Sequence, residues 1–160
     1  MKRYFFDASA VVKLHTVERD SLAVPDMVRS ANRPGSRTNV LVCDLSLPEA
    51  VSALLQIQRG PQAARKGLSA AALRQAIPNL VESFTRESPM MVVRASDFMR
   101  MAAEIVQRRS LRPADAIQVA AALRTRDELG SGDDFSFVSA DRVQCAAARE
   151  EGLGVLELAA

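Results

Sequence analysis

Apolar and polar positions along the chain follow two different periods, and the switching between them sorts the sequence into strands and helices. Short, nearly continuous apolar runs occur at Arg3–Asp7, Thr38–Asp44, Met90–Arg94 and Phe135–Ala140, with Gly154–Leu158 as a weaker fifth. Runs that are apolar throughout, rather than at every second position, predict strands covered on both faces, as in a parallel sheet between helix layers. Between these runs the apolar residues recur at helical spacing. Val11, Val12 and Leu14 follow the first strand directly. Leu47, Ala50, Val51, Leu54 and Ile57 form one face of a helix that starts at Ser46 and is interrupted at Gly60–Pro61. Ser69–Glu87 predicts a helix with a break near Pro78, and Ser96 predicts the N-cap of a helix with Phe98, Ala102, Ile105 and Val106 on one side. Pro113 suits the first turn of an Ala-rich, almost wholly apolar helix over Pro113–Arg126, and a last helix covers Asp141–Glu151. Strands alternating with helices predict an α/β fold: a mainly parallel central sheet flanked by helices in three layers. With no linker in its 160 residues, the chain reads as one domain, 1–160.

Sheets of this kind bind ligands beyond the carboxyl ends of their strands, so the chemistry is sought just after each strand. Four carboxylates stand there. Asp7 ends the first strand, Glu49 lies on the first turn of the helix after the second, Asp115 on the first turn of the Pro113 helix, and Asp141 just after Phe135–Ala140. Each has an ordinary structural reading. Ser46-x-x-Glu49 has the form of a capping box, Asp115 suits the positive end of a helix dipole, and Asp141 suits an N-cap. Asp7 resists such a reading, because a carboxylate directly after Tyr4-Phe5-Phe6 is partly desolvated, which is costly unless compensated. Four acids on one rim repel and raise each other's pKa unless a cation neutralises them. Hard oxygen ligands without His or Cys point to Mg²⁺ or Mn²⁺, and such an ion among carboxylates points to metal-dependent phosphoester hydrolysis.

Composition narrows the alternatives. The chain is 48% hydrophobic and 25% charged, a globular balance. Its two cysteines, Cys43 and Cys145, are far apart and form no CxxC, which argues against a disulfide scaffold or a cysteine zinc site. His15 is the one histidine, so HExxH zinc chemistry is excluded. No apolar run approaches the ~18 residues of a membrane span, and the MKRYFFDAS start lacks a long apolar leader, so a cytoplasmic setting is expected. The net charge is +2, and lysines are confined to Lys2, Lys13 and Lys66, leaving arginine as the main cation. Arginine forks suit phosphate.

The runs FFDASAVVKL, SLPEAVSAL, LRPADAIQVAAAL and FVSADRVQCAAAREEGLGVLEL together resemble the successive acidic motifs of PIN domains, most closely the VapC-type toxins of prokaryotic toxin–antitoxin pairs. The resemblance spans nearly the whole chain in the right order. It implies a PIN-like, Rossmann-like three-layer fold in which Asp7, Glu49, Asp115 and Asp141 are the catalytic acids that bind Mg²⁺ or Mn²⁺. Ser9 and Ser139 match small hydroxyl positions that orient an acid or water. The implied activity is endoribonuclease cleavage, often of structured RNA such as transfer or ribosomal RNA, and the implied partners are a small VapB-like antitoxin and a second copy of the chain. Gln118 stands where many relatives have His, and Gln56–Pro78 aligns with nothing in the family.

The remaining polar residues divide between this chemistry and ordinary roles. Arg112 before Asp115 and Arg142 after Asp141 are placed to hold an RNA backbone, while Arg108 and Arg109 equally suit a solvated helix end. Asp44 and Glu18 lie close enough to the strand ends to be decoys, and Asp133 and Asp134 read as turn acids on the opposite rim. His15 reads as a helix-end or surface residue, with a proton shuttle as the sharper alternative. Tyr4 and six Phe, with no Trp, give no aromatic platform for base stacking, so recognition by shape and phosphate is expected. An apolar helix face such as Leu68–Ile77 is a candidate dimer contact. Two competing functions remain: a non-catalytic PIN-type RNA-binding scaffold, and an aspartyl-phosphate phosphatase using Asp7, whose usual D-x-D pattern fails at Ser9.

Overall fold

Three strands carry residues apolar enough to be covered on both faces, and these occupy the middle of the sheet. The computed structural model describes residues 1–17, 23–85, 90–130 and 134–159; Glu18 and Asp133 lie outside the described residues. The strands are β1 (Lys2–Phe6), β2 (Thr38–Cys43), β3 (Met90–Val93), β4 (Asp134–Ser139) and β5 (Val155–Glu157), in the order β3-β2-β1-β4-β5. Every pairing is parallel, so the sheet is wholly rather than mainly parallel. Phe6 of β1 lies opposite both Val42 of β2 and Val138 of β4. That register brings the carboxyl ends of the three central strands to one rim.

Helices are α1 (Ala8–Val12), α2 (Ala23–Ala31), α3 (Ser46–Arg59), α4 (Ala70–Glu82), α5 (Met99–Arg108), α6 (Pro113–Leu129) and α7 (Arg142–Glu150), with a 3-10 turn at Ala95–Phe98. The pleat sends successive side chains to opposite faces. Phe5, Leu41 and Phe137 join α5, α6 and α7 in one core, while Phe6, Val42 and Val138 join α1, α3 and α4 in the other. These are the three layers expected. Alanine lets α6 lie close: Ala116, Ala120, Ala121 and Ala122 are fully buried, and this close approach carries Asp115 and Gln118 to the rim.

Local signals failed in four places. The helix over Ala70–Glu82 runs through Pro78 without a break. Proline withholds one ladder donor, but burial of Ala76 and Leu80 on either side of it offsets that loss. Ser96 lies inside the 3-10 turn and bonds Asp97, so it does not cap α5. Ser46 is the first residue of α3 and not its cap, so the capping box with Glu49 does not form. The Leu68–Ile77 face is turned inward, with Leu68 fully buried and Leu73 packed on the core, which removes it as a dimer surface. Asp134 opens β4 opposite Lys2, at the amino rim.

Close packing of α6 gives a direct test. Ala121→Leu should destabilise the protein by about 1–3 kcal/mol through overpacking, read as a lower urea midpoint at unchanged slope. An unchanged midpoint would mean that α6 is loosely seated.

Candidate active site

Asp7 follows β1 as the N-cap of α1, 3% exposed. Its Oδ1 accepts from the Ala10 N–H at 2.8 Å. The Ser9 hydroxyl donates to both carboxylate oxygens, at 2.8 and 2.9 Å, and the Ser139 hydroxyl donates to Oδ2 at 2.8 Å. An ionised carboxylate can only accept, so each hydroxyl turns its proton to Asp7, while the Ala140 N–H donates to Ser9 Oγ at 2.7 Å and the Asp141 N–H to Ser139 Oγ at 2.9 Å. The turn after β4 thus bonds both hydroxyls that donate to Asp7. Burial pushes the Asp7 carboxyl up to about 6; these hydrogen bonds pull it down, and the charge of Asp141 adds to the rise.

Around Asp7 opens a cavity of about 210 Å³, lined also by Ser9, Glu49, Asp115, Gln118, Asp141 and Gln144. Glu49 and Asp115 are half-buried, and burial raises the pKa of both. The charge of Asp115 raises Glu49 further while the bond from Gln118 opposes; Asp141 raises Asp115 further while Arg112 opposes. Asp141 is also the N-cap expected of it, accepting from the Val143 and Gln144 N–H groups at 2.8 and 3.0 Å. Capping and lining the cavity are compatible, because both cap bonds fall on Oδ1 and leave Oδ2 outside them.

Two buried glutamines bond into the site, and composition gave no sign of either role. Gln118 donates from Nε2 to Glu49 and accepts at Oε1 from the Ser46 hydroxyl at 3.1 Å. Gln144 donates from Nε2 to the Asp115 carbonyl at 3.3 Å, and its Oε1 lies 3.2 Å from Ser139 Oγ. A polar residue on the otherwise apolar faces of α6 and α7 was the available signal.

The other candidates lie elsewhere. Asp44 accepts from the Ala95 N–H at 2.8 Å, fixing the turn after β3. His15 does not line the cavity, and burial lowers its pKa. Arg108 and Arg109 are held by Glu151 at 3.0 and 2.9 Å. Arg112 and Arg142 are exposed beside the rim, and Arg142 comes only to 3.9 Å of Glu157. Cys43 and Cys145 are buried free thiols, pushed up to about 12 and about 11 by burial.

Carboxylate, hydroxyl and amide oxygens are the donor set of a hard divalent cation. Among the described residues, no three His, Cys, Asp or Glu side chains form a ready-made ligand cluster. The acids share a cavity, with Asp7, Glu49 and Asp141 each bonded to a different neighbour. In chemistry and placement the residues fit such an ion; a preformed cluster they are not.

No protein-family model matches the chain, and no curated protein sequence matches it. Among solved structures, the fold is similar to Mycobacterium tuberculosis VapC20, described as a sarcin–ricin-loop-cleaving toxin. The TM-score is 0.57 at 17% identity, over 90% of this chain and 94% of that one. This likeness shows the fold alone, the PIN-like three-layer arrangement around a parallel sheet.

The raised Asp7 pKa sets a stability prediction. The folded state holds its proton more tightly than the unfolded state between 3.8 and about 6. The resulting penalty is absent at low pH and complete above that window. In EDTA, Asp7→Asn should therefore gain on wild type as pH rises from about 4 to about 7, by on the order of 2 kcal/mol. A stability difference independent of pH in urea melts would mean that Asp7 is not desolvated.

Proposed function

We propose that this chain is a divalent-metal-dependent endoribonuclease, the toxin of a prokaryotic toxin–antitoxin pair, acting as one domain over 1–160. The observation that carries the reading is a buried Asp7 carboxylate, held by Ser9 and Ser139, in one cavity with Glu49, Asp115 and Asp141. The likeness of fold to an RNA-cleaving toxin supports it.

Asp7, Glu49, Asp115 and Asp141 would hold Mg²⁺ or Mn²⁺, which supplies water activation and offsets charge on the phosphoryl oxygens. Ser9 and Ser139 keep Asp7 fixed and ionised while it is dehydrated. Arg112 and Arg142, both exposed, are the groups to meet RNA phosphates. Without the four cavity acids, fifteen acidic residues face twenty-one basic ones. Negative charge is therefore concentrated where a cation would cancel it, and phosphate can approach the remaining surface. Structured RNA, such as transfer or ribosomal RNA, is the substrate class. A small VapB-like antitoxin, a homodimer and a cytoplasmic location complete the proposal; no described helix is long and apolar enough to cross a membrane.

A non-catalytic RNA-binding scaffold is the second reading. Two measurements separate them. Wild type should cut structured RNA with Mg²⁺ or Mn²⁺ and not with EDTA, and Asp7→Asn should cut in neither. Mn²⁺ bound only to the folded state should stabilise wild type by about 2.7 kcal/mol at a hundredfold excess over Kd, and Asp7→Asn should lose most of that shift. RNA binding without cleavage, with the same Mn²⁺ response in both proteins, would establish the scaffold instead.

A further inference from the structure

Glu49 is held differently from Asp7 and Asp141, by a hydrogen bond from another helix. Asp7 and Asp141 are N-caps bonded to their own helices, and Asp115 rides on a short side chain at the start of α6. Glu49 has three free torsions, stands half-exposed on the first turn of α3, and is repelled by Asp115. Left alone, such a side chain turns to water. The hydrogen bond that holds it comes from another helix, from Gln118 one turn after Asp115 on the same face of α6.

Gln118 is itself held. Only 2% exposed, it has both ends of its amide engaged, Nε2 by Glu49 and Oε1 by Ser46. The Glu49 carboxylate can only accept and so takes the NH₂ group, and the Ser46 hydroxyl donating to Oε1 supports that same orientation of the amide. Ser46 is drawn away from capping to do this, and α3 starts without a side-chain cap. A local rule broken at a fully buried serine is the kind of departure that marks a functional constraint. The amide is also neutral. Lysine or arginine at this position would hold Glu49 equally well but would cancel its charge and take the place of a cation.

We infer that Gln118, oriented by Ser46, is a positioning residue that holds the Glu49 carboxylate at the cavity as an uncancelled charge ready for a divalent cation. The inference rests on the metal-dependent reading above, and its test keeps the two distinguishable.

Mn²⁺ alone, without RNA, is titrated calorimetrically into wild type and the variants Gln118→Leu, Gln118→His, Ser46→Ala and Asp7→Asn, with each variant's melting measured in EDTA. Groups that orient ligands from behind typically govern affinity by about 10–100-fold. Gln118→Leu should weaken Mn²⁺ binding by about that factor, and Gln118→His, whose ring N–H can replace the amide donor, should recover most of it. Ser46→Ala should weaken binding by a smaller factor, since Gln118 keeps its reach and loses only its orientation. A purely structural Gln118 would shift the EDTA melt and leave Mn²⁺ affinity unchanged. Wild-type affinity in Gln118→Leu, alongside lost affinity in Asp7→Asn, overturns this inference alone. Wild-type affinity in Asp7→Asn overturns the metal reading and this inference with it. If Gln118→Leu fails to fold, Ser46→Ala decides, and wild-type affinity there overturns the inference.

Discussion

A carboxylate buried at the end of the central strand has to be kept charged without water, and much of the site follows from that requirement. Asp7 receives its compensation from three donors, two of them hydroxyls that each also accept a backbone N–H. The donors come from two chain segments more than a hundred residues apart, α1 and the carboxyl end of β4. They meet because β1 and β4 are parallel neighbours in register. The sheet therefore sets the protonation chemistry of Asp7 as well as its position.

Compensation for Asp7 is incomplete, as its raised pKa records, and the same holds for Glu49 and Asp115. Burial and mutual repulsion push all three the same way. A cavity of this kind is destabilising for the empty protein at neutral pH and attractive to a cation, two consequences of one electrostatic arrangement. The two glutamines answer the same constraint. Each carries hydrogen bonds into the site without adding charge, so the acids are located while their field is preserved.

Dense packing makes this arrangement possible. Small side chains on α6 let the helix approach Phe5, Leu41 and Phe137 closely enough for Asp115 and Gln118 to reach across toward α3. Larger residues there would move the helix outward and open the cavity. The alanines of α6 thus serve the site indirectly, by setting the distance between two helix starts.

Much of this was legible in the chain. Continuous apolar runs marked the strands, most fully the central β1, β2 and β4, because a strand buried on both faces needs no polar side, and the positions just after the strands pointed to Asp7, Glu49, Asp115 and Asp141. The misreadings share one cause. Ser46 and Ser96 have the local form of caps, and Pro78 the form of a break, yet each local preference is worth about a kilocalorie to three. Tertiary contacts exceed that: the buried amide of Gln118 claims Ser46, and the core holds α4 together through Pro78. Leu68 looked like an exposed apolar face because periodicity shows that a face exists and not which layer covers it. The sequence by itself determined the strands, the layers and which acids follow the strand ends, since these depend on patterns local to each segment. Only the tertiary structure decided which donors face Asp7, which amide holds Glu49 and how far apart the acids stand, because those follow from side chains brought together across the sheet from distant parts of the chain.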